Sequence, residues 1–251
     1  MSEWKMDTDE YLDEILSVSV IPSFFEKVLP RNGEKKVGFM ACGPAMEVRT
    51  IERTIPGYFS DKQTYLSDFS SNFIREALNN IDGIEGNFYF KKADMTNTGI
   101  PDDSFDLIMC INGLIFEDLI SGSLKEAGRL LKKGGLYIAN TYPPYEQMSG
   151  NDFTKLPEFR DFERKNQLKY IPPIKDKENA YFEIYNEANN QKQVLISDCN
   201  MEKLIGDSPL NLESVQKYEL PKDLVAKVRS FPLDEIEKGY AYETTIWTLR
   251  M

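Results

Sequence analysis

Two rhythms of apolar residues alternate along the first 141 positions. Short apolar runs at 36–41, 64–69, 88–92, 105–111 and 136–141 read as strands. Between them, apolar residues recur at helical spacing. Residues 44–54 read as one helix, and Pro44 suits a first helical position, where its missing N–H costs nothing. Ser70 is placed to cap the next helix, with Phe73, Ile74, Ala77 and Leu78 on one face and the 79–83 segment as its end. Residues 123–132 read as a third helix with Leu124, Ala127, Leu130 and Leu131 inward, closed by Gly134-Gly135. Residues 7–29 predict one or two further helices, broken at Pro22. The run Phe105-Asp106-Leu107-Ile108-Met109-Cys110-Ile111 is almost wholly apolar, which predicts a strand covered on both faces.

Strand and helix in regular alternation predict a parallel sheet with right-handed crossovers. The alternation then stops. Residues 142–179 are rich in Pro, Lys, Asp and aromatic side chains, and 181–185 with 193–197 read as a hairpin. Stretches 212–220 and 242–249 read as final strands, with a helical stretch near 222–230 and a break at Pro232. The expected architecture is a doubly wound, mostly parallel seven-stranded α/β sheet with helices on both faces. We read 1–251 as a single domain: N-terminal helices over 1–34, a core over 35–141, a lid inserted after strand five over 142–198, and C-terminal strands and helices over 199–251.

Composition narrows the chemistry. The chain has no histidine, which removes the Ser-His-Asp triad, the imidazole base and His-ligated zinc. Three widely spaced cysteines, Cys42, Cys110 and Cys199, suit reduced buried thiols in a cytoplasmic protein, and no metal site is expected. With 41 acidic and 30 basic residues the formal charge is −11, which disfavours a nucleic-acid partner. No apolar run is long enough for a membrane span.

The chemistry-bearing residues fall at strand ends. Ala41-Cys42-Gly43-Pro44 makes a tight turn between the first strand and its helix, with small residues that let backbone N–H groups approach a ligand. Asp68, followed by Phe69, ends the second strand, where an acid can accept both hydroxyls of a ribose. After the third strand, Asp94 can accept an adenine N–H while Met95 packs on the ring. Asn112 follows the fourth strand, where the reacting end of a ligand would lie. Each has a plainer reading: an ordinary turn for Gly43, a helix cap for Asp68, a solvated loop acid for Asp94 and simple core packing for Met95.

At these residues the chain resembles the class I S-adenosylmethionine-dependent methyltransferases, which have a Rossmann-like fold. Their first motif, hh(D/E)hGxGxG, matches positions 37–45 through Cys42-Gly43-Pro44. Asp68 falls on the family's ribose acid, Asp94-Met95 on its adenine segment, and 101–108 on its lead into strand four. Arg129-Leu130-Leu131-Lys132-Lys133-Gly134-Gly135 resembles its segment before strand five. The resemblance covers about 35–141 and implies S-adenosyl-L-methionine as methyl donor, with a small-molecule acceptor taken at its N, O or C atom. Tyr11, Asn112, Tyr142 and Tyr145 are the candidates for lining the acceptor pocket, and the chain is expected to be a monomer or homodimer. Asn140-Thr141-Tyr142-Pro143-Pro144-Tyr145 is similar to the Asn-Pro-Pro-Tyr motif of amino-group methyltransferases, but it has two extra residues and follows the wrong strand.

The chain departs from the family at three positions. Phe39 stands where the family has an acid, and Ala41 and Ala45 stand where it has glycines. Glu47, or an acid of the N-terminal helix, is the available substitute for the missing carboxylate. A second reading follows: a catalytically inactive methyltransferase fold kept as a binding or regulatory module. A nicotinamide-dependent oxidoreductase ranks last, because the turn lacks GxGxxG.

Overall fold

A computed structural model describes residues 22–29, 33–111, 113–114, 117–141, 168–171, 182–186, 191–195, 198–219 and 243–251. In chain order the elements are α1 (Pro22–Val28), β1 (Lys36–Met40), α2 (Met46–Thr54), β2 (Gln63–Asp68), α3 (Ser71–Asn80), β3 (Asn87–Lys92) and β4 (Phe105–Cys110). They continue as α4 (Glu117–Leu130), β5 (Leu131–Thr141), β6 (Leu168–Ile171), β7 (Phe182–Asn186), β8 (Gln191–Leu195), α5 (Asp198–Gly206), β9 (Asn211–Glu219) and β10 (Glu243–Arg250).

Seven strands form one sheet in the order β3-β2-β1-β4-β5-β10-β9. The first five are mutually parallel, β10 is antiparallel to β5, and β9 is antiparallel to β10. Strand order therefore reverses between β1 and β4. That is where an open α/β sheet leaves a crevice outside its carboxyl ends.

The apolar run of β4 explains why the sheet is buried on both sides. Leu107, Met109 and Ile111 join Phe25, Leu29, Val48 and Ile51 in one core, beneath α1, α2 and α3. Ile108 and Cys110 join Ile120, Leu124, Ala127, Met201 and Ile205 in a second core, beneath α4 and α5. The two-residue period of a strand sends alternate side chains to opposite layers. Asp106 breaks the run for a structural reason. Its Oδ2 accepts the backbone N–H groups of Lys35 and Lys36 at 3.0 and 2.9 Å, and its Oδ1 meets Lys132 Nζ at 2.6 Å, tying β1 and β5 to β4.

Several boundaries depart from the sequence reading. α2 begins at Met46 rather than Pro44, because Ala45 takes a left-handed φ of 60° and stands outside the helix. α4 starts six residues earlier than the 123–132 reading, at Glu117. β5 begins at Leu131, so Gly134-Gly135 lies inside the strand as an irregularity, with pairing jumping from Phe105–Leu131 to Leu107–Leu136. Leu78 faces solvent at 48% exposure, not the core. Helix α5 has no counterpart in the sequence reading. The hairpin is present as β7 and β8, which join β6 in a separate antiparallel sheet. The helices expected before Pro22 and near 222–230 lie outside the described residues. Among the described residues, no helix is long and apolar enough to cross a membrane.

Candidate functional site

The turn after β1 is the floor of the crevice. Three of its residues, Ala41, Gly43 and Ala45, have left-handed φ values of 51°, 50° and 60°. Among the described residues only Asp103 is another non-glycine with positive φ. The backbone thus takes the glycine-type path even where it carries a Cβ, at a cost of about 1–2 kcal/mol per alanine. Cys42 N–H donates to Ser67 O at 2.9 Å, and Ala45 N–H to Cys42 O at 2.9 Å. Asn80 at the end of α3 donates from Nδ2 to Pro44 O at 2.9 Å, a clasp that no sequence signal announced.

Asp68 closes the turn from β2. Its Oδ2 accepts Gly43 N–H at 2.9 Å and its Oδ1 accepts Ser70 N–H at 2.8 Å. The two carboxylate oxygens offer about four acceptor sites, so capacity remains beyond these bonds. Asp68 is buried, and burial pushes its carboxyl pKa up, partly offset by the N–H groups of Ser70, Gly43 and Phe69. The cap expected at Ser70 is present, its Oγ accepting Phe73 N–H at 3.4 Å. Beside Asp68, the Phe69 ring is 40% exposed, with Lys92 Nζ 5.7 Å from its centroid.

Glu47, in the first turn of α2, is only 5% exposed. Burial raises its carboxyl pKa to about 7, offset in part by its own amide, with the Asp68 charge adding to the rise. The buried thiols of Cys42 and Cys110 also feel both carboxylates. Burial pushes the Cys110 thiol up to about 12 and raises Cys42 likewise, so neither is a thiolate at neutral pH. Glu47 thus shares an electrostatic field with groups at the ends of β1, β2 and β4. Among the described residues, neither Glu47 nor Asp68 forms a salt bridge with a lysine or arginine.

The third and fourth strand ends complete the rim. Asp94 Oδ1 accepts Thr96 N–H and Thr96 Oγ1–H, both at 2.8 Å, which folds the loop after β3 and leaves Oδ2 uncommitted among the described contacts. Met95 is 8% exposed and packs with Met40, Phe105 and Leu114 in the second core. Gly113 comes so close to the turn that a Cβ there would lie 2.7 Å from Cys110 Sγ and 2.8 Å from Ala41 Cβ. Asn112, Tyr11, Tyr142 and Tyr145 lie outside the described residues. The structure thus brings Ala41, Cys42, Gly43, Pro44, Asp68 and Phe69 together, with Asp94 and Met95 on the neighbouring loop. Among the described residues there is no cluster of metal-ligating side chains.

The chain is similar to known proteins in both sequence pattern and fold. The sequence pattern of the methyltransferase domain matches residues 40–139, from the end of β1 through most of β5. Over these residues the chain is similar to the methyltransferase domain family. The likeness in fold extends over almost the whole chain. A Methanosarcina mazei S-adenosylmethionine-dependent methyltransferase is 14% identical, with 90% of this chain and 96% of that one covered at a TM-score of 0.57. A protein from Pyrococcus horikoshii is 17% identical, with coverages of 96% and 91% and a TM-score of 0.61. The geranyl diphosphate C-methyltransferase of Streptomyces coelicolor is 12% identical, with coverages of 93% and 80% and a TM-score of 0.58. No curated protein sequence matches the chain.

The Methanosarcina mazei protein is S-adenosylmethionine-dependent. A nucleoside sulfonium presents a diol, an aromatic base and positive charge. The crevice of this chain offers a fixed carboxylate with spare acceptor capacity, an exposed aromatic ring beside it, and a second buried carboxyl that has no salt-bridge partner among the described residues.

Proposed function

We propose that this chain is an S-adenosylmethionine-dependent methyltransferase that transfers the donor's methyl group to a small-molecule acceptor over the carboxyl ends of β1 to β4. The observation that carries the reading is Asp68. Its carboxylate is held by the Gly43 and Ser70 N–H groups at the mouth of the β1 turn, buried and without a basic partner among the described residues. In this reading Asp68 holds the ribose hydroxyls and Phe69 supplies an apolar shelf. The uncommitted Oδ2 of Asp94 takes the base N–H. The turn 41–44 gives close backbone approach at the methionyl end.

The bound sulfonium supplies an already activated methyl carbon, displaced in line by a lone pair of the acceptor. What remains for the protein is to align the acceptor and exclude water, and alignment alone supplies several kcal/mol, up to roughly 7–11 in ideal systems. An acceptor that arrives protonated needs a base. The chain has no histidine, so that base is a carboxylate, a tyrosine or the substrate itself. Tyr11, Asn112, Tyr142 and Tyr145 are proposed to line the acceptor pocket, and the 142–198 insertion to cover it. The charge of −11 supports neutral or cationic small acceptors over nucleic acid. We further propose a single cytoplasmic domain acting as monomer or homodimer.

A second reading rests on the alanines at φ 51° and 60° and on Phe39, buried at 3% exposure against Phe59. Here the fold is kept for binding alone. Incubation with methyl-labelled donor and a panel of amines, phenols and carboxylic acids, read by mass spectrometry, separates the two. Labelled product supports transfer; donor binding without product from any acceptor class supports the binding module.

A further inference from the structure

Glu47 is a buried carboxyl with no salt-bridge partner among the described residues. An acid in the first turn of a helix commonly just offsets the positive end of the helix dipole. An exposed carboxylate does that without being dehydrated. Glu47 is 5% exposed and belongs to the buried face of α2 with Val48, Thr50 and Ile51. Among the described residues, the titratable groups that share its electrostatic field are Asp68 from the end of β2, Cys42 from the turn after β1 and Cys110 from the end of β4. None of these is a cation. Meanwhile Phe39, the β1 residue where an acid would be expected, is committed to the core beneath α1 and α2 and packs 6.3 Å from the Phe59 ring.

We propose that Glu47 is the carboxylate with which this chain holds the cationic amino-acid end of its methyl donor, in place of an acid at position 39. This rests on the donor-binding reading above. The physical logic is charge balance. Two buried carboxyls that feel each other's charge, with no salt-bridge partner among the described residues, cannot both ionise cheaply. A ligand that brings an ammonium beside Glu47 restores the missing counter-charge. Binding then favours the ionised carboxyl, and a proton leaves Glu47 as the ligand enters. The raised pKa of Glu47, about 7, places that proton release in the neutral range.

Calorimetric titration of the full chain tests this with two probes. S-adenosylhomocysteine carries the ammonium, and 5′-methylthioadenosine has the same nucleoside without the amino-acid end. We expect S-adenosylhomocysteine affinity to rise about tenfold from pH 6 to pH 8, because the ionised fraction of Glu47 rises by that factor. We also expect its heat at pH 7 to depend on the buffer's ionisation enthalpy, as proton release requires. 5′-Methylthioadenosine should show neither effect. Glu47→Gln should weaken S-adenosylhomocysteine about tenfold at pH 8, flatten its pH dependence, and leave 5′-methylthioadenosine unchanged. The wild-type proton release reads the same claim without any variant. If both probes bind wild type but neither pH nor Glu47→Gln separates them, the assignment of Glu47 is overturned and donor binding stands. If wild type binds neither probe, donor binding falls, and Glu47 with it.

Discussion

Asp68 Oδ2 accepts the backbone N–H of Gly43 at 2.9 Å, across 25 positions of sequence. This bond locks the turn after β1 to the end of β2, while Oδ1 of the same carboxylate holds Ser70 N–H at the start of α3. One side chain therefore sets the shape of the crevice as well as its charge. Asp68→Ala leaves two buried N–H donors without acceptors. We expect a net stability loss of about 1–3 kcal/mol, read as a lower urea midpoint at unchanged m-value. An unchanged midpoint would show that the bond is dispensable.

The alanines of the turn carry strain that glycine relieves. Ala41 and Ala45 sit at φ 51° and 60°. Glycine removes about 1–2 kcal/mol of strain at each site but costs about 0.4–1 kcal/mol through the freer unfolded chain. Ala41→Gly and Ala45→Gly should each raise stability by roughly 0.5–1 kcal/mol. Denaturant melts check this; a lower midpoint in both variants would contradict the strain.

Gly113 and Ala41 are steric partners. A Cβ on Gly113 would fall 2.8 Å from Ala41 Cβ and 2.7 Å from Cys110 Sγ. Gly113→Ala should cost about 1–3 kcal/mol. Adding Ala41→Gly removes one of the two clashing atoms, so the double variant should recover more than the sum of the single effects. A strictly additive cycle would mean that the two loops do not press on each other.

The buried Glu47 makes unliganded stability depend on pH. Its folded pKa, about 7, lies above the ordinary 4.5. Below about pH 4.5 the carboxyl is protonated in both states and imposes no penalty. Between 4.5 and 7 the folded chain holds the proton and the unfolded chain does not, so stability falls as pH rises through that window. The full penalty is present above pH 7, and Asp68, also raised, adds in the same direction. Glu47→Gln should flatten this slope and melt higher than wild type at pH 8. Parallel pH–Tm curves for the two proteins would contradict it.

The legibility of this fold followed the strength of local pattern. The alternation of β1 through β5 and the burial of β4 on both faces were visible, because apolar period and length record them directly. The start of α2 was not, because Pro44 is a plausible first helical residue and only the left-handed Ala45 excludes it. Gly134-Gly135 resembled a terminator, yet it sits as an irregularity inside β5, held by Gly134 N–H to Met251 O at 3.0 Å across the sheet. Asp68 was legible as a site residue from its place after a strand. Its two backbone bonds were not, since they join segments that only the fold brings together. Asn80's clasp on Pro44 and the dehydration of Glu47 are tertiary facts of the same kind.

A crystal structure of the full chain grown with S-adenosylhomocysteine tests the central claim most directly. We expect the nucleoside across the carboxyl ends of β1, β2 and β3, with its ribose hydroxyls within hydrogen-bond distance of the Asp68 carboxylate. A nucleoside seated elsewhere at saturating ligand, with Asp68 still touching only Gly43 and Ser70, would contradict it.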